Sequence, residues 1–373
     1  MAKVLILGGG FGGVVAAESL AKELGDGHEI TLVSRSRRFL FYPALVRLAF
    51  AKCEPDDVSF DLRKSMLSRR VNFIEAEVAR LDLEERQVIL AHGEVAGSVS
   101  YDYLIFALGR RLATERVSGF FEHAHHLLDL DGALKFGEAI RDFNGGRIVI
   151  GECPDARLPV PVYETALALS RWIQEDGPQN TTVTIVDPSS LESELGDERM
   201  ARMLMDVFEK HGIDYVANFS ISNITSKTVA TADDRELGYN LLMLLPPFAG
   251  SSAVSHLGIT NEGGYINVDW TMKVNGAERM YAIGDCVNFD GPKMGHMAVN
   301  QAEVAAANLA AEILGREPVA HYRHDLMMVV EGDGESIYFH KDLWTDKPAK
   351  VHHGTFWSWA KRIHEKFWEA THA

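Results

Sequence analysis

The sequence predicts an α/β fold: two doubly wound, Rossmann-like domains followed by a C-terminal amphipathic helical tail. Three observations carry this reading. Short apolar runs alternate with helix-spaced amphipathic segments along nearly the whole chain, the pattern of parallel strands joined by crossover helices. The first apolar run opens into Gly8-Gly9-Gly10-Phe11-Gly12-Gly13, a glycine turn of the kind that joins strand to helix in a dinucleotide-binding unit. At 373 residues the chain is long for a single core, so two domains are the default.

The elements follow in order. Lys3 to Leu7 is a short apolar run ending in glycines, as a central parallel strand does. Phe11 to Leu24 sets Ala16, Ala17, Leu20 and Leu24 on one side at helical spacing, and Glu29 to Ser34 closes a βαβ unit. Strand-like patterns return at Val71 to Ala76 and Gln87 to Leu90, and a buried strand, Tyr103 to Leu108, ends at Gly109. A second unit begins with the strand Arg147 to Ile150 and the helix Tyr163 to Gln174. Thr182 to Val186 and Met200 to His211 repeat that alternation. Beyond Asp269 the pattern returns to the first unit, with strand Met280 to Ile283 and an Ala-rich helix, Met297 to Leu314. The expected domains are therefore 1–113 and 246–325 as two parts of one dinucleotide-binding domain, 114–245 as the second, and 326–373 as a C-terminal strand and tail.

Composition narrows the function. A net charge of −16 without a basic stripe argues against nucleic acid. No run approaches the length needed to span a bilayer; Leu241 to Leu245, for example, stops at Pro246-Pro247. Met1-Ala2-Lys3 leads straight into the first strand with no signal peptide, so a cytoplasmic protein is expected. Cys53, Cys153 and Cys286 fit no zinc spacing. His123, His125, His126, His352 and His353 lack an accompanying cysteine or carboxylate pattern, so they read as solvated loops and no metal is expected.

The glycine turn carries the first chemistry. Gly8 permits the tight turn, Gly10 lets backbone approach a pyrophosphate, and Gly13 lets helix pack on strand. The helix start then offers amide donors and a positive dipole end. Both NAD and FAD use such a turn. Ser34 stands where an acidic ribose ligand is usual, which leaves ribose contacts to Ser34, Arg35 or backbone. Two further segments favour FAD. Tyr101-Asp102-Tyr103-Leu104-Ile105-Phe106-Ala107-Leu108-Gly109 and Met280-Tyr281-Ala282-Ile283-Gly284-Asp285 resemble two strands of the two-dinucleotide-fold flavoproteins. That resemblance implies FAD contacts at Phe11, Gly12, Ala107, Gly109, Arg110 and Gly284, with Asp285 accepting a hydrogen bond from the ribityl chain.

The segments between are more specific. Phe39-Leu40-Phe41-Tyr42-Pro43, Val58 to Arg63, Pro161-Val162-Tyr163-Glu164, Leu245-Pro246-Pro247-Phe248 and Pro292-Lys293-Met294-Gly295-His296-Met297 resemble the sulfide:quinone oxidoreductase branch. Its neighbours are type II NADH dehydrogenases and the flavoprotein subunits of flavocytochrome c sulfide dehydrogenases. The resemblance implies Pro43 beside the isoalloxazine, Lys293 as a cation for reduced flavin, and the helix start at Gly295 over the pyrimidine end. It implies electron flow from a small reductant, sulfide or another, through FAD to a quinone. The second glycine turn, however, reads Gly151-Glu152-Cys153-Pro154-Asp155-Ala156-Arg157-Leu158-Pro159, whose bulk and acidity would block and repel a pyrophosphate.

The family's two flavin-facing cysteines are also missing, since the matching positions are Leu158 and Met328 or Val329. Cys153 lies early in the first of these loops, and a loop shift would bring it to the flavin; otherwise it is a small packing residue. Cys286 reads as packing. Glu164 is a candidate acid or base, or else a helix cap or salt-bridge partner. Two rival readings follow: a type II NADH:quinone oxidoreductase, and a non-catalytic electron-transfer subunit working with a protein partner.

On a helical wheel, Phe356, Trp359, Ala360, Ile363 and Phe367 share one face, with Trp357 and Trp368 at its margin. Ser358, Arg362, Glu365 and Glu369 lie opposite, and Lys361, Arg362 and Lys366 flank the aromatics. Such a helix suits the inner face of the cell membrane, where indoles and basic residues settle together. The competing occupants of that face are the protein's own surface and a second copy, as a homodimer.

Overall fold

The computed structural model describes residues 1–93, 97–331 and 336–373, without the side chains of His92 and Ser358. Its larger sheet has seven strands in the order Met280–Ala282, Tyr103–Phe106, Lys3–Leu7, Glu29–Ser34, Asn72–Asp82, Gln87–Gly93 and Gly97–Ser100. The first five run parallel, and the last two turn back antiparallel. Val4, Leu5, Ile6 and Leu7 are all buried, because helices cover one face and chain crossings the other. Helix Phe11–Leu24 packs against helix Gly295–Ile313. Small residues make that close approach practicable: Gly12 faces Ala298, and Ala302, Ala305 and Ala306 share a core with Ala16, Ala17 and Leu20.

A second, four-stranded parallel sheet has the order Ile213–Val216, Thr181–Val186, Gly146–Glu152 and Leu241–Leu245. Helices Val160–Glu175 and Glu198–Lys210 cover one face with Ile148 and Ile150 beneath them. Val149, Leu242 and Leu244 point the other way, into a separate core shared with the antiparallel sheet Ile221–Ile224, Thr228–Thr231 and Glu236–Gly238.

The single C-terminal strand expected beyond residue 326 is instead an antiparallel pair, Asp325–Glu331 and Ser336–Asp342. Positions 332–335 between them lie outside the described residues. Leu326, Met328 and Val330 alternate inward on the first of these strands, which fixes the side it turns to the core. Lys350–Gly354 adds a third strand, and the chain ends in helix Phe356–His372. Among the described residues no helix is long and apolar enough to cross a membrane.

Candidate active site

The glycine turn is built by exclusion. Gly8 has φ +118°, and a Cβ there would lie 1.9 Å from the Ala107 carbonyl oxygen. A Cβ on Gly13 would lie 1.8 Å from the Gly8 oxygen. Around Gly10 the reverse holds: no described atom lies within 4 Å of where its Cβ would be. Gly10 is also the N-cap of helix Phe11–Leu24, and no described side chain caps it. The turn thus packs tightly below and opens above, with free first-turn amides facing the opening. Ser34 is buried at the neighbouring strand end and closes its own turn, its hydroxyl donating to the Ser36 carbonyl at 2.9 Å. Arg35 beside it is exposed.

Across the sheet, Gly109 and Gly284 both have positive φ, +66° and +76°. Each is followed by a charged residue, and the two meet in an ion pair between Arg110 and Asp285. The Arg110 guanidinium lies 4.2 Å from the Phe248 ring centroid and 5.7 Å from that of Tyr42. Its Nε is buried and has no partner among the described residues. Burial, and then the Asp285 charge, push the Tyr42 hydroxyl well above its ordinary range. An open glycine turn, an uncapped helix start, an unsatisfied buried donor and a carboxylate near its end form a donor set that fits FAD.

Beside this region lies a largely apolar cavity of about 290 Å³. Phe11, Tyr42, Pro43 and Gly295 line it from the first unit, Leu158 and Glu164 from the second, and Met328 and Val329 from the C-terminal strands. Trp357, Ala360, Lys361 and Trp368 of the last helix close it, and none of the described lining residues is a cysteine. Lys361 Nζ donates to Glu164 Oε1 at 2.5 Å, and Glu365 of the same helix pairs with Arg47 at 2.9 Å. Burial pushes the Glu164 carboxyl up, and Lys361 only partly offsets it. Burial alone would lower Lys361, yet Glu164, Glu331 and Glu365 around it keep it above its usual range. Both directions agree with one arrangement: a charged lysine facing several carboxyls in an apolar wall, where burial makes the charge on Glu164 costly.

One sequence expectation needs correction. Cys153 does not reach the cavity. The alternation of strand Gly146–Glu152 runs one residue past its end, so Cys153 shares a side with Val149 and is fully buried among Val186, Leu242 and Leu244. Its amide donates to the Leu245 carbonyl at 2.9 Å, and burial pushes its thiol far up. Lys293, expected as a cation for reduced flavin, does not line this cavity. It is buried, Nζ donates to the Val287 carbonyl at 2.5 Å, and the Tyr265 ring centroid lies 4.8 Å away. Burial, then the Arg157 charge, hold it down to about 7. Glu365, set opposite the aromatic face on the helical wheel, lies on the side turned to the protein, where it meets Arg47. Cys286 is a packing residue, with Sγ donating to the Ile283 carbonyl at 3.1 Å.

The second strand-to-helix turn is filled by acids. Glu152 Oε1 accepts the Leu158 amide at 3.0 Å, and Asp187 accepts the Ser189 amide at 2.7 Å and the Tyr215 hydroxyl at 2.8 Å. Glu194 receives the Ser189 hydroxyl at 3.3 Å. The Tyr163 hydroxyl is buried without a partner among the described residues, and all three carboxyls are raised, chiefly by burial. Asp187 follows strand Thr181–Val186 at the usual place of an acidic ribose ligand, but Glu152 stands where a pyrophosphate would. A pyrophosphate there would meet a buried acid that already holds the Leu158 amide.

Sequence reasoning missed Arg47, the inward set Lys361, Glu365, Trp368 and His372, and the pairing of Arg110 with Asp285. The helical spacing of the inward set was the one signal available for it.

The pyridine nucleotide-disulphide oxidoreductase family model matches residues 2–302. A sulfide-quinone reductase of Aquifex aeolicus is 27% identical over 269 residues, covering 69% of this chain and 61% of that protein. A type II NADH:quinone oxidoreductase of Haemophilus influenzae is 23% identical over 371 residues, covering 87% of this chain and 83% of that one. The solved sulfide:quinone oxidoreductase of Aquifex aeolicus superposes with a TM-score of 0.92 over 99% of this chain and 90% of that chain, at 22% identity. The family match over most of the chain agrees with the glycine turn, the Gly284-Asp285 end and the two sheets that carry them. This chain belongs to the pyridine nucleotide-disulphide oxidoreductase family, whose members use FAD to carry out oxidoreduction.

Proposed function

We propose that the chain passes two electrons from a small reductant through FAD to a membrane quinone. The observation that carries this reading is the apolar cavity at Pro43 and Gly295, walled by the last helix and holding the buried pair Glu164–Lys361. A quinone head needs an apolar slot and two protons to leave as quinol, and the carboxyl–ammonium pair is a store for protons. FAD, when bound, takes an electron pair from the donor and returns it to the acceptor. Around it, this chain's residues do the positioning. The uncapped turn at Gly10 holds the diphosphate, and Tyr42 and Pro43 exclude water from the slot.

The donor is a compound that reaches the flavin without a cysteine relay, since Leu158, Met328 and Val329 line the slot where the resemblance places two thiols. The buried acid Glu152, standing in the turn where a pyrophosphate would bind, weighs against NADH as that donor. Membrane attachment rests on the last helix, whose Phe356, Trp359, Ile363 and Phe367 are all exposed on one side. In our reading the protein sits on a membrane surface, with the quinone entering beside the helix.

The test is anaerobic mixing of the FAD-loaded protein with sulfide and, separately, with NADH, followed by addition of a quinone. The reading expects slow or no reduction by NADH, and rapid reoxidation by quinone once the flavin has been reduced chemically. Fast bleaching by NADH would overturn the reading of the second turn. Reduced flavin that quinone leaves untouched would remove the proposed acceptor.

A further inference from the structure

Outside the cavity, a file of buried polar side chains leads from the core to the FAD-binding end of the large sheet. Gln301, on helix Gly295–Ile313, is buried, and its Oε1 accepts the Gly284 amide at 2.6 Å. Its other side reaches the Tyr322 hydroxyl. That hydroxyl lies 3.0 Å from His324 Nδ1, and His324 Nε2 lies 2.7 Å from the Asp290 carbonyl oxygen. Tyr322 and His324 are both buried, and the rings of Phe289 and Trp344 enclose them.

Donor chemistry fixes the direction of every link. A carbonyl only accepts, so His324 Nε2 carries the hydrogen given to Asp290. In a neutral ring Nδ1 then only accepts, so the Tyr322 hydroxyl donates to it. The phenol oxygen is left to accept from the Gln301 amide nitrogen, whose oxygen is in turn free for the Gly284 amide. Each donor has one acceptor, and one tautomer of one histidine satisfies the file. A second proton on His324 would break it, because Nδ1 and the Tyr322 hydroxyl would then both be donors, facing each other in a dry site.

We propose that Gln301, Tyr322 and His324 are positioning residues for FAD: a one-way hydrogen-bond chain that fixes the Gly284–Asp285 peptide and lets go in acid. Gly284 sits at φ +76°, a conformation that turns the chain sharply just before Asp285, so holding its amide sets where the carboxylate stands. None of the three need touch the cofactor. Burial holds the His324 ring below the ordinary imidazole range, with Lys293 and Arg157 adding to that effect and Asp290 opposing it. The other titratable group in contact is Tyr322 itself, raised by burial. Folding and FAD binding therefore favour the neutral ring. The contribution is complete above the pH where a free imidazole titrates, and is lost as pH falls through the lower value of the bound ring.

The test is FAD titration of the deflavo protein, followed by protein fluorescence, across acid to neutral pH for the wild type and for Tyr322→Phe. The phenylalanine keeps the ring packing and removes only the hydroxyl. The wild type should bind FAD with constant affinity near neutrality and more weakly in acid. Tyr322→Phe should bind about tenfold more weakly at neutral pH, the scale of one buried hydrogen bond, and should lose much of the acid dependence. Equal affinity and an unchanged profile in the variant would overturn the proposal. A readout on the unaltered protein covers a variant that fails to fold: nitrogen NMR of labelled histidine should find His324 neutral with its hydrogen on Nε2 at pH 7. The opposite tautomer, or a charged ring at that pH, would equally overturn it.

Discussion

Glu164 and Lys361 illustrate how a buried pair differs from a surface one. An exposed ion pair contributes little. This one lies in an apolar wall 2.5 Å apart, with Glu331 and Glu365 close enough to raise Lys361. Removing Lys361 takes away the cation that offsets the burial of Glu164, whereas removing Glu164 leaves Lys361 with Glu331 and Glu365. The variant that keeps shape and removes the acid is Glu164→Gln. In the proposed reaction it should leave reduction of the flavin by dithionite unchanged and slow reoxidation by quinone about a hundredfold, the lower end of what one acid–base group supplies. Reoxidation at the wild-type rate in rapid mixing would assign Glu164 a structural role only. Cys153 teaches the opposite lesson. A cysteine near the right loop suggested chemistry, but strand alternation, already visible in Ile148-Val149-Ile150, decides its side.

The last helix has its polarity turned inside out. Lys361, Glu365 and His372 face the protein, where His372 meets Glu18 at 2.6 Å and Trp368 packs on Phe11 with ring centroids 4.9 Å apart. Its aromatic set faces out, with Trp359 and Phe367 60% and 67% exposed. An exposed apolar stripe on one helix marks a contact with something else. Substituting Trp359→Ser and Phe367→Ser together should release the protein from anionic lipid vesicles in a flotation assay. Its melting temperature should hold, because neither ring is buried. Retained flotation would point instead to a protein occupant of this face. Helical spacing in the sequence identified the aromatic stripe, including all four exposed residues. It could not tell which medium the stripe faces, so it left open that Glu365, opposite the stripe, meets Arg47. Amphipathicity reports two faces but not which one meets the core. The large sheet was legible for a firmer reason: continuous apolar runs such as Val4 to Leu7 have only one suitable place, between two covered faces. The antiparallel strands after Asn218 are short and half-exposed, and gave no comparable signal.

Across the molecule, the two sheets meet through loops as well as through the cavity. Arg157 of the second unit donates from Nε to the Gly291 carbonyl at 2.8 Å, and its own carbonyl accepts the Lys293 amide at 2.8 Å. The acid cluster lies at the root of that loop, since Glu152 holds the Leu158 amide. Its pH behaviour should therefore be felt globally. Glu194 is pushed up to about 7 by burial, then by Asp187, while Glu152 and Asp187 are also raised. A carboxyl raised in the folded state contributes stability below its unfolded value and loses it as pH climbs through the folded value. Between about pH 4.5 and 8 the cluster should thus become progressively costly. Glu194→Gln should stabilise the protein by about 2 kcal/mol at pH 8 and hardly at all at pH 5, as read from urea unfolding. An equal effect at both pH values would show that the cluster is not proton-linked.

Strand Met280–Ala282 lies directly beside Tyr103–Phe106, although the whole four-stranded sheet separates them along the chain. For a chain emerging from the ribosome, this sets an order of events. The inserted sheet has all four of its strands once Leu245 is out, whereas the larger sheet still lacks the strand leading into Gly284-Asp285. The second unit is then free to fold first, and the cofactor can be captured only near the end of synthesis. Until that moment the free side of Tyr103–Phe106 is an open strand edge, so supply of flavin during translation bears on how much chain survives to become enzyme.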